Sequence, residues 1–424
     1  MRSSWRSHAS SVLCLAALTA CAAPAGAGSG LNDGFARDGG LRVLARTGSE
    51  RWLVGFDAWP STPALQRMAS EASVRLVRQI PAVRMVLVEV SRADRGASQR
   101  LAQWPGVAFV EADRMAPQEP EQTRVAEPPP ASAAQDWDPY RRAQWYLSTM
   151  RLPLVWSSGA VTRTVKVAVV DSGVEASHPD LQGVLLPGYN AVSPGASTDD
   201  TNGHGTMCAG LIAAPGGNSY GIHGAAPNAR IVPVKVGDTV SSLVEGLVWA
   251  ADHADLVSMS LSVKPGMDEY PVALESTRRA AAHVISKGVP LVCSMGNTGD
   301  ESRNVPAAFA GQEVPALIAV AATNKADQHA SFSTFGPWCS LAAPGDTIIT
   351  TALGGKYLYA RGTSFATPLV AATVALMLGA GHTRDPLAVK RTLQRTAADV
   401  MAPGPDSLTG AGRVDAAKAV LGTR

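Results

Sequence analysis

Five short runs in the last two thirds of the chain are predominantly apolar: VKVAVV, RIVPVKV, ADLVSMSL, VPLVCS and ALIAVAA. A strand with one wet face alternates apolar and polar residues, so these runs read as strands buried on both faces. Between them lie longer segments with helical patterning, such as SSLVEGLVWAADH, PVALESTRRAAAHVISKG and DPLAVKRTLQRTA. Such alternation predicts an α/β fold, a mostly parallel sheet covered by helices. In open sheets of this kind, sites lie just beyond the carboxyl ends of the strands.

Four polar stretches fall at those ends. VAVVDSGV sets Asp171 at the end of a strand, and TNGHGTMCAG brackets His204 with glycines at a helix start. VCSMGNTGD puts Asn297 in a glycine-containing turn after a strand, and GTSFATP places Ser364 at the head of an apolar helix. Each has a bland reading, since aspartates, small hydroxyls and asparagines cap helices and turns. Pro368 fits the first turn of that last helix, and Ser364 or Thr363 could serve only as its cap. Together they supply what acyl transfer requires. A serine hydroxyl needs an imidazole to take its proton, and a buried carboxylate must orient that imidazole. The developing oxyanion needs donors, which an asparagine amide and a helix-start N–H provide.

Upstream, residues 51–115 read as strand, helix, two strands, helix, strand, a small α+β unit with a split βαβ arrangement. APQEPEQTRVAEPPPASAAQD follows, and its composition predicts an exposed, extended connection. At the start, Arg2 and Arg6 precede an apolar core, Val12–Ala20, too short to span a bilayer. The expected organisation is an export signal over 1–20, a flexible tether over 21–49, the α+β unit over 50–115, the connection over 116–136 and the large α/β region over 137–424. A formal net charge of +2, without a dense Lys/Arg run, gives no reason to expect nucleic acid as a partner. No C-x-x-C pair suggests zinc. Cys208, Cys293 and Cys339 read as small buried hydrophobes, with room for one disulfide among them.

VVDSGV, HGTMCAG, SMGN and GTSFATP resemble the Asp, His, oxyanion-Asn and Ser motifs of the subtilisin-like serine peptidases. The resemblance runs from about Asp138 to GAGRVDAAKAV. It implies Asp171 as orienting carboxylate, His204 as general base and then acid, Ser364 as nucleophile and Asn297 as oxyanion donor. WLVGF through PGVAFVEADR resembles that family's inhibitory propeptide, a ferredoxin-like unit that assists folding and occupies the cleft until cut.

Met259 to Ser262 resembles the strand that pairs with the substrate backbone, which assigns Ser260, Leu261 and Ser262 to substrate. The family usually carries Gly at the last position, so Ser262 crowds that edge. The partner strand falls in KVGDTVSSL, several residues shorter than in well-known members. Ser294, Met295 and Gly296 line the implied primary pocket, with Asn304 near its base, and none is charged. Asp180 and Asn218 stand near positions that resemble a structural calcium site, and Asp180 also reads as a turn cap; catalysis itself is expected to need no cofactor. LTAC resembles the bacterial lipobox, implying lipidation of Cys21 and an envelope-anchored precursor; the alternative is an ordinary secretory signal. The implied function is a serine endopeptidase exported as a self-inhibited precursor. Its rival is a non-catalytic protein of the same fold that binds peptides.

Overall fold

The computed structural model describes residues 48–115, 122–126, 138–263 and 275–422. The signal, Cys21, nearly all of the tether and most of the 116–136 connection lie outside them.

The first described unit contains β1 (Ser49–Phe56), α1 (Thr62–Ala72), β2 (Arg75–Ile80), β3 (Met85–Ser91), α2 (Ala97–Ala102) and β4 (Val107–Ala112). Its strands form an antiparallel sheet in the order β2-β3-β1-β4. Strand alternation gives this sheet two apolar faces. Val54, Phe56, Val86 and Val88 pack with Leu65, Met68 and Leu101 of the unit's own helices. Leu53, Met85 and Leu87 point the other way, into a cluster shared with the large α/β region.

That region follows β5 (Gln122–Val125) and the short helices α3 (Trp145–Thr149) and α4 (Leu152–Ser157). Its frame is β6 (Lys166–Asp171), β7 (Tyr189–Asn190), α5 (His204–Ala213), β8 (Arg230–Lys235), α6 (Val240–His253), β9 (Leu256–Met259), α7 (Glu275–Ser286) and β10 (Leu291–Ser294). β11 (Ile318–Thr323), β12 (Leu341–Pro344), β13 (Ile348–Ala352), β14 (Lys356–Arg361), α8 (Thr363–Gly379), α9 (Pro386–Thr396) and α10 (Ala416–Leu421) complete it. Seven strands form one parallel sheet in the order β12-β11-β10-β9-β6-β8-β7. Both faces are dry, as the apolar runs predict. Val167 and Val169 of β6 join the cluster under α5 and α8, while Ala168 and Val170 join the one under α6 and α7.

The strand order reverses at β6, because β7 and β8 lie on one side of it and the chain then passes to β9 on the other. Loops diverge at such a switch point and leave a crevice at the carboxyl ends. The expected exposed connection contains more order than its composition suggests: β5 pairs with the edge of β14 in a separate antiparallel sheet, β13-β14-β5. No helix among the described residues is long and apolar enough to cross a membrane.

Candidate active site

A cleft of about 590 Å³ opens at the switch point, walled by Asp171, His204, Asn297 and Ser364 among others. Each of these four arrives from a carboxyl end of the sheet or a helix start. Asp171 is the last residue of β6, and His204 is the first of α5. Gly205 follows because a Cβ there would stand 2.1 Å from the Gly173 carbonyl oxygen.

His204 Nδ1 lies 2.7 Å from Asp171 Oδ1. That oxygen also accepts the Ser172 N–H at 2.8 Å, and Asp171 is 1 % exposed. Behind it, Asp200 accepts from Ser172 Oγ and from the N–H groups of Gly203 and Thr206. Burial alone would raise the Asp200 pKa, but the Gly203 N–H, the Thr206 hydroxyl and the Asn202 and Thr206 N–H groups hold it below the ordinary carboxylate range. A fixed negative charge therefore anchors the start of α5, the helix that carries His204.

Ser364 is the second residue of α8, and the cap position before the helix is Gly362, with no side-chain cap bond. The cap reading of Ser364 and Thr363 is thus replaced. Thr363 Oγ1 accepts the Gly296 N–H and donates to Asn297 Oδ1 at 3.0 Å, while its own N–H donates to the same Oδ1 at 2.8 Å. Two donors on one oxygen fix the amide plane of Asn297, so its NH₂ group is the end left to serve the cleft.

Pro368 lies inside α8, past the first turn expected for it. A proline there has no N–H for the carbonyl four residues back, and that carbonyl belongs to Ser364. It is satisfied from outside the helix, by Ser260 Oγ at 2.8 Å and Cys208 Sγ at 3.6 Å. Ser364 Oγ in turn donates to the Ser260 carbonyl at 3.2 Å. The pair Ser260–Ser364 is therefore reciprocal, and the Cys208 side chain sits buried beneath the site. Cys293 and Cys339 are free thiols.

The assigned substrate residues divide into two groups. Ser260, Leu261, Ser262, Ser294 and Gly296 line the cleft. Met295 is fully buried in the cluster under α6 and α7, and its carbonyl accepts Asn304 Nδ2 at 3.0 Å. Asn304 is 1 % exposed and lies directly under Gly296, where a Cβ would stand 2.2 Å from its amide nitrogen. Gly237 and Asp238, from the shortened KVGDTVSSL segment, form part of the opposite wall.

Asp180 and Asn218, the residues set near a structural calcium position, meet in the structure. Asp180 accepts from Asn218 Nδ2 and from the Ile222 N–H, both at 2.9 Å, and burial pushes its pKa up. Asp180 is held as a structural acceptor at the start of a short turn.

A subtilase-family model matches residues 162–412. The chain is 36% identical over 245 residues to the thermophilic serine proteinase of Bacillus sp. (strain AK1), covering 56% of this chain and 58% of that protein. It is 35% identical over 294 residues to thermitase of Thermoactinomyces vulgaris, covering 67% of this chain and 98% of thermitase. Among solved structures it resembles fervidolysin from Fervidobacterium pennivorans, a keratinolytic enzyme related to subtilisin. The TM-score is 0.73 at 25% identity, over 88% of this chain and 61% of that one. On the strand-end geometry and these matches, the chain belongs to the subtilase family of serine endopeptidases.

Proposed function

We propose that Asp171, His204, Ser364 and Asn297 hydrolyse peptide bonds in polypeptide substrates through an acyl-enzyme. The observation that carries this reading is the 2.7 Å contact between Asp171 and His204 in the cleft that also holds Ser364. Ser364 Oγ attacks the substrate carbonyl carbon and its proton passes to His204. Asp171 holds the imidazole tautomer and stabilises its charged form. The oxyanion is met by Asn297 Nδ2 and by the Ser364 N–H, one of the donors a helix start leaves without an intrahelical partner. Collapse of the intermediate expels the amine, which takes the proton back from His204. Water then repeats the sequence to release the acid. The chemistry uses the chain's own side chains, a backbone N–H and water.

The N-terminal unit acts as an inhibitory propeptide. Support comes from its docking: Glu111 receives the N–H groups of Glu275 and Ser276 at the start of α7, and Asp113 receives the Ser241 N–H at 2.7 Å in the first turn of α6. Met115 then enters the cleft and donates its N–H to the Asp238 carbonyl at 3.1 Å. The likeness to fervidolysin also spans more of the chain than residues 138–424 would fill. Maturation is a cut within residues 115–136 by the enzyme's own site.

The chain is exported as this precursor, and Cys21 carries a lipid that holds it at the bacterial envelope. Because Cys21 precedes the cut, maturation severs the covalent link between peptidase and membrane. The test compares the full chain with Ser364→Ala in a Gram-negative host, by membrane fractionation, intact mass and N-terminal analysis. The wild type should yield a soluble product beginning within the connection, while the variant stays full-length and membrane-bound. Failure of a serine-directed phosphonate to label Ser364 would leave the peptide-binding alternative.

A further inference from the structure

Two described segments flank the cleft in chain order. Met115 precedes it and bonds the Asp238 carbonyl on one wall. Beyond residues 116–121 the chain reappears on the other wall as β5, antiparallel to β14 from Gln122 opposite Arg361 to Val125 opposite Leu358. The Ala126 N–H extends the pairing to the Tyr357 carbonyl at 3.1 Å, and Thr123 forms part of the cleft wall. β14 runs through Gly362 straight into α8, so it is the strand that delivers Ser364. Its other edge is already taken by β13.

A substrate crossing in the same direction lays the residues before its scissile bond near Asp238 and those after it along β14. An extended peptide binds an open strand edge through main-chain hydrogen bonds. We propose that residues 122–126 are a second inhibitory contact, separate from the N-terminal unit: a strap that fills the leaving-group half of the cleft and that a substrate must displace. This rests on the peptidase reading above. The strap follows residues 116–121 in the chain, so a cut there removes the N-terminal unit and leaves the strap attached to the peptidase. Losing the N-terminal unit therefore opens only half of the cleft.

Its hold is weak by construction. Besides main-chain pairing it has the Arg124 guanidinium, 5.1 Å from the centre of the Tyr359 ring. Val125 is 73% exposed and adds little burial. Such a strap competes with substrate and does not block it outright.

The test uses the full chain after its own maturation, wild type beside Arg124→Pro, which removes an N–H from the ladder and the guanidinium from Tyr359. Two substrates are compared: a peptidyl p-nitroanilide with residues only before the cut, and an internally quenched peptide extending four residues beyond it. The variant should raise kcat/KM on the extended peptide about fivefold, through KM, and leave the anilide unchanged, as expected for loss of a contact worth ~1 kcal/mol. Arg124→Ala, with the backbone intact, should move the same ratio in the same direction by a smaller factor. Added acetyl-QTRVA amide should inhibit Arg124→Pro against the extended peptide and not against the anilide. An unchanged ratio in both variants, or equal inhibition of both substrates by the peptide, overturns the strap. Absence of wild-type cleavage of either substrate, with no phosphonate label on Ser364, overturns the peptidase reading instead.

Discussion

At the scale of single residues, the site depends on neighbours that do no chemistry themselves. Asn297 is useful only if its amide points the right way, and Thr363 decides that with two donors on Oδ1. Asn297→Ala should lower kcat about 100- to 1,000-fold with KM little changed, the range for losing one oxyanion donor. Thr363→Val keeps its backbone N–H on Oδ1 and loses only the hydroxyl. Losing its bond to Asn297 and the acceptor of the Gly296 N–H together should cost at least about tenfold in kcat, by steady-state kinetics on a short anilide substrate. That Asp171, His204, Asn297 and Ser364 would meet in one cleft was legible in the sequence, because each stands in a distinctive motif at a strand end or helix start. Thr363 was not, because a hydroxyl beside a helix start reads equally well as a cap. Nor could the pattern show why Pro368 is tolerated in mid-helix. That depends on Ser260 and Cys208, more than a hundred residues away in the chain.

At the scale of elements, two carboxylates from the N-terminal unit complete the starts of two peptidase helices. Sequence could not pair Glu111 with α7 or Asp113 with α6, since capping normally comes from the residue next to the helix. Burial is the largest influence on Glu111, pushing its pKa up to about 7 against the hydrogen bonds from Ser276 and Glu275, and the nearby Glu275 carboxylate adds to the rise. Burial likewise raises the pKa of Asp113, against the bonds from Ser241 and the charges of Arg51 and Arg78. Undocked, both return to water and to ordinary carboxylate values of about 4. The docked state therefore binds protons more tightly, so docking is strongest below about pH 4 and weakens as pH rises through about 7. Phosphonate-inactivated, processed enzyme should keep its N-terminal unit in gel filtration at pH 5 and release more of it at pH 8. Glu111→Gln removes that titration and should flatten the difference. Equal retention at both pH values in the wild type would show that the buried carboxyls do not control the hold.

At the scale of the whole molecule, the parallel sheet was legible because burial on both faces leaves continuous apolar runs, and helices must then cover each face. The four-stranded unit was legible from its strand and helix order. β5 was not, for a physical reason: QTRV pairs through its main chain and leaves no apolar signature. The sequence also leaves open which face of the small sheet meets the peptidase, and there the alternation along β3 makes a sharp distinction. Val86 points to the unit's own helices and Leu87, one residue on, joins the cluster shared with α6 and α7. Leu87→Asp should therefore leave the unit folded on its own while breaking its docking, because its side chain meets water once the unit is free. Val86→Asp should unfold the unit itself, at a cost of several kcal/mol for burying an unpaired charge. The two are separated by circular dichroism of the isolated unit and by its inhibition of the mature enzyme. Leu87→Asp should show native-like ellipticity and inhibition weakened at least about tenfold, corresponding to ~1.4 kcal/mol or more. Val86→Asp should lose both. If Leu87→Asp inhibited as well as wild type, the shared cluster would not be what holds the unit, and the two helix-start carboxylates would have to carry the docking alone.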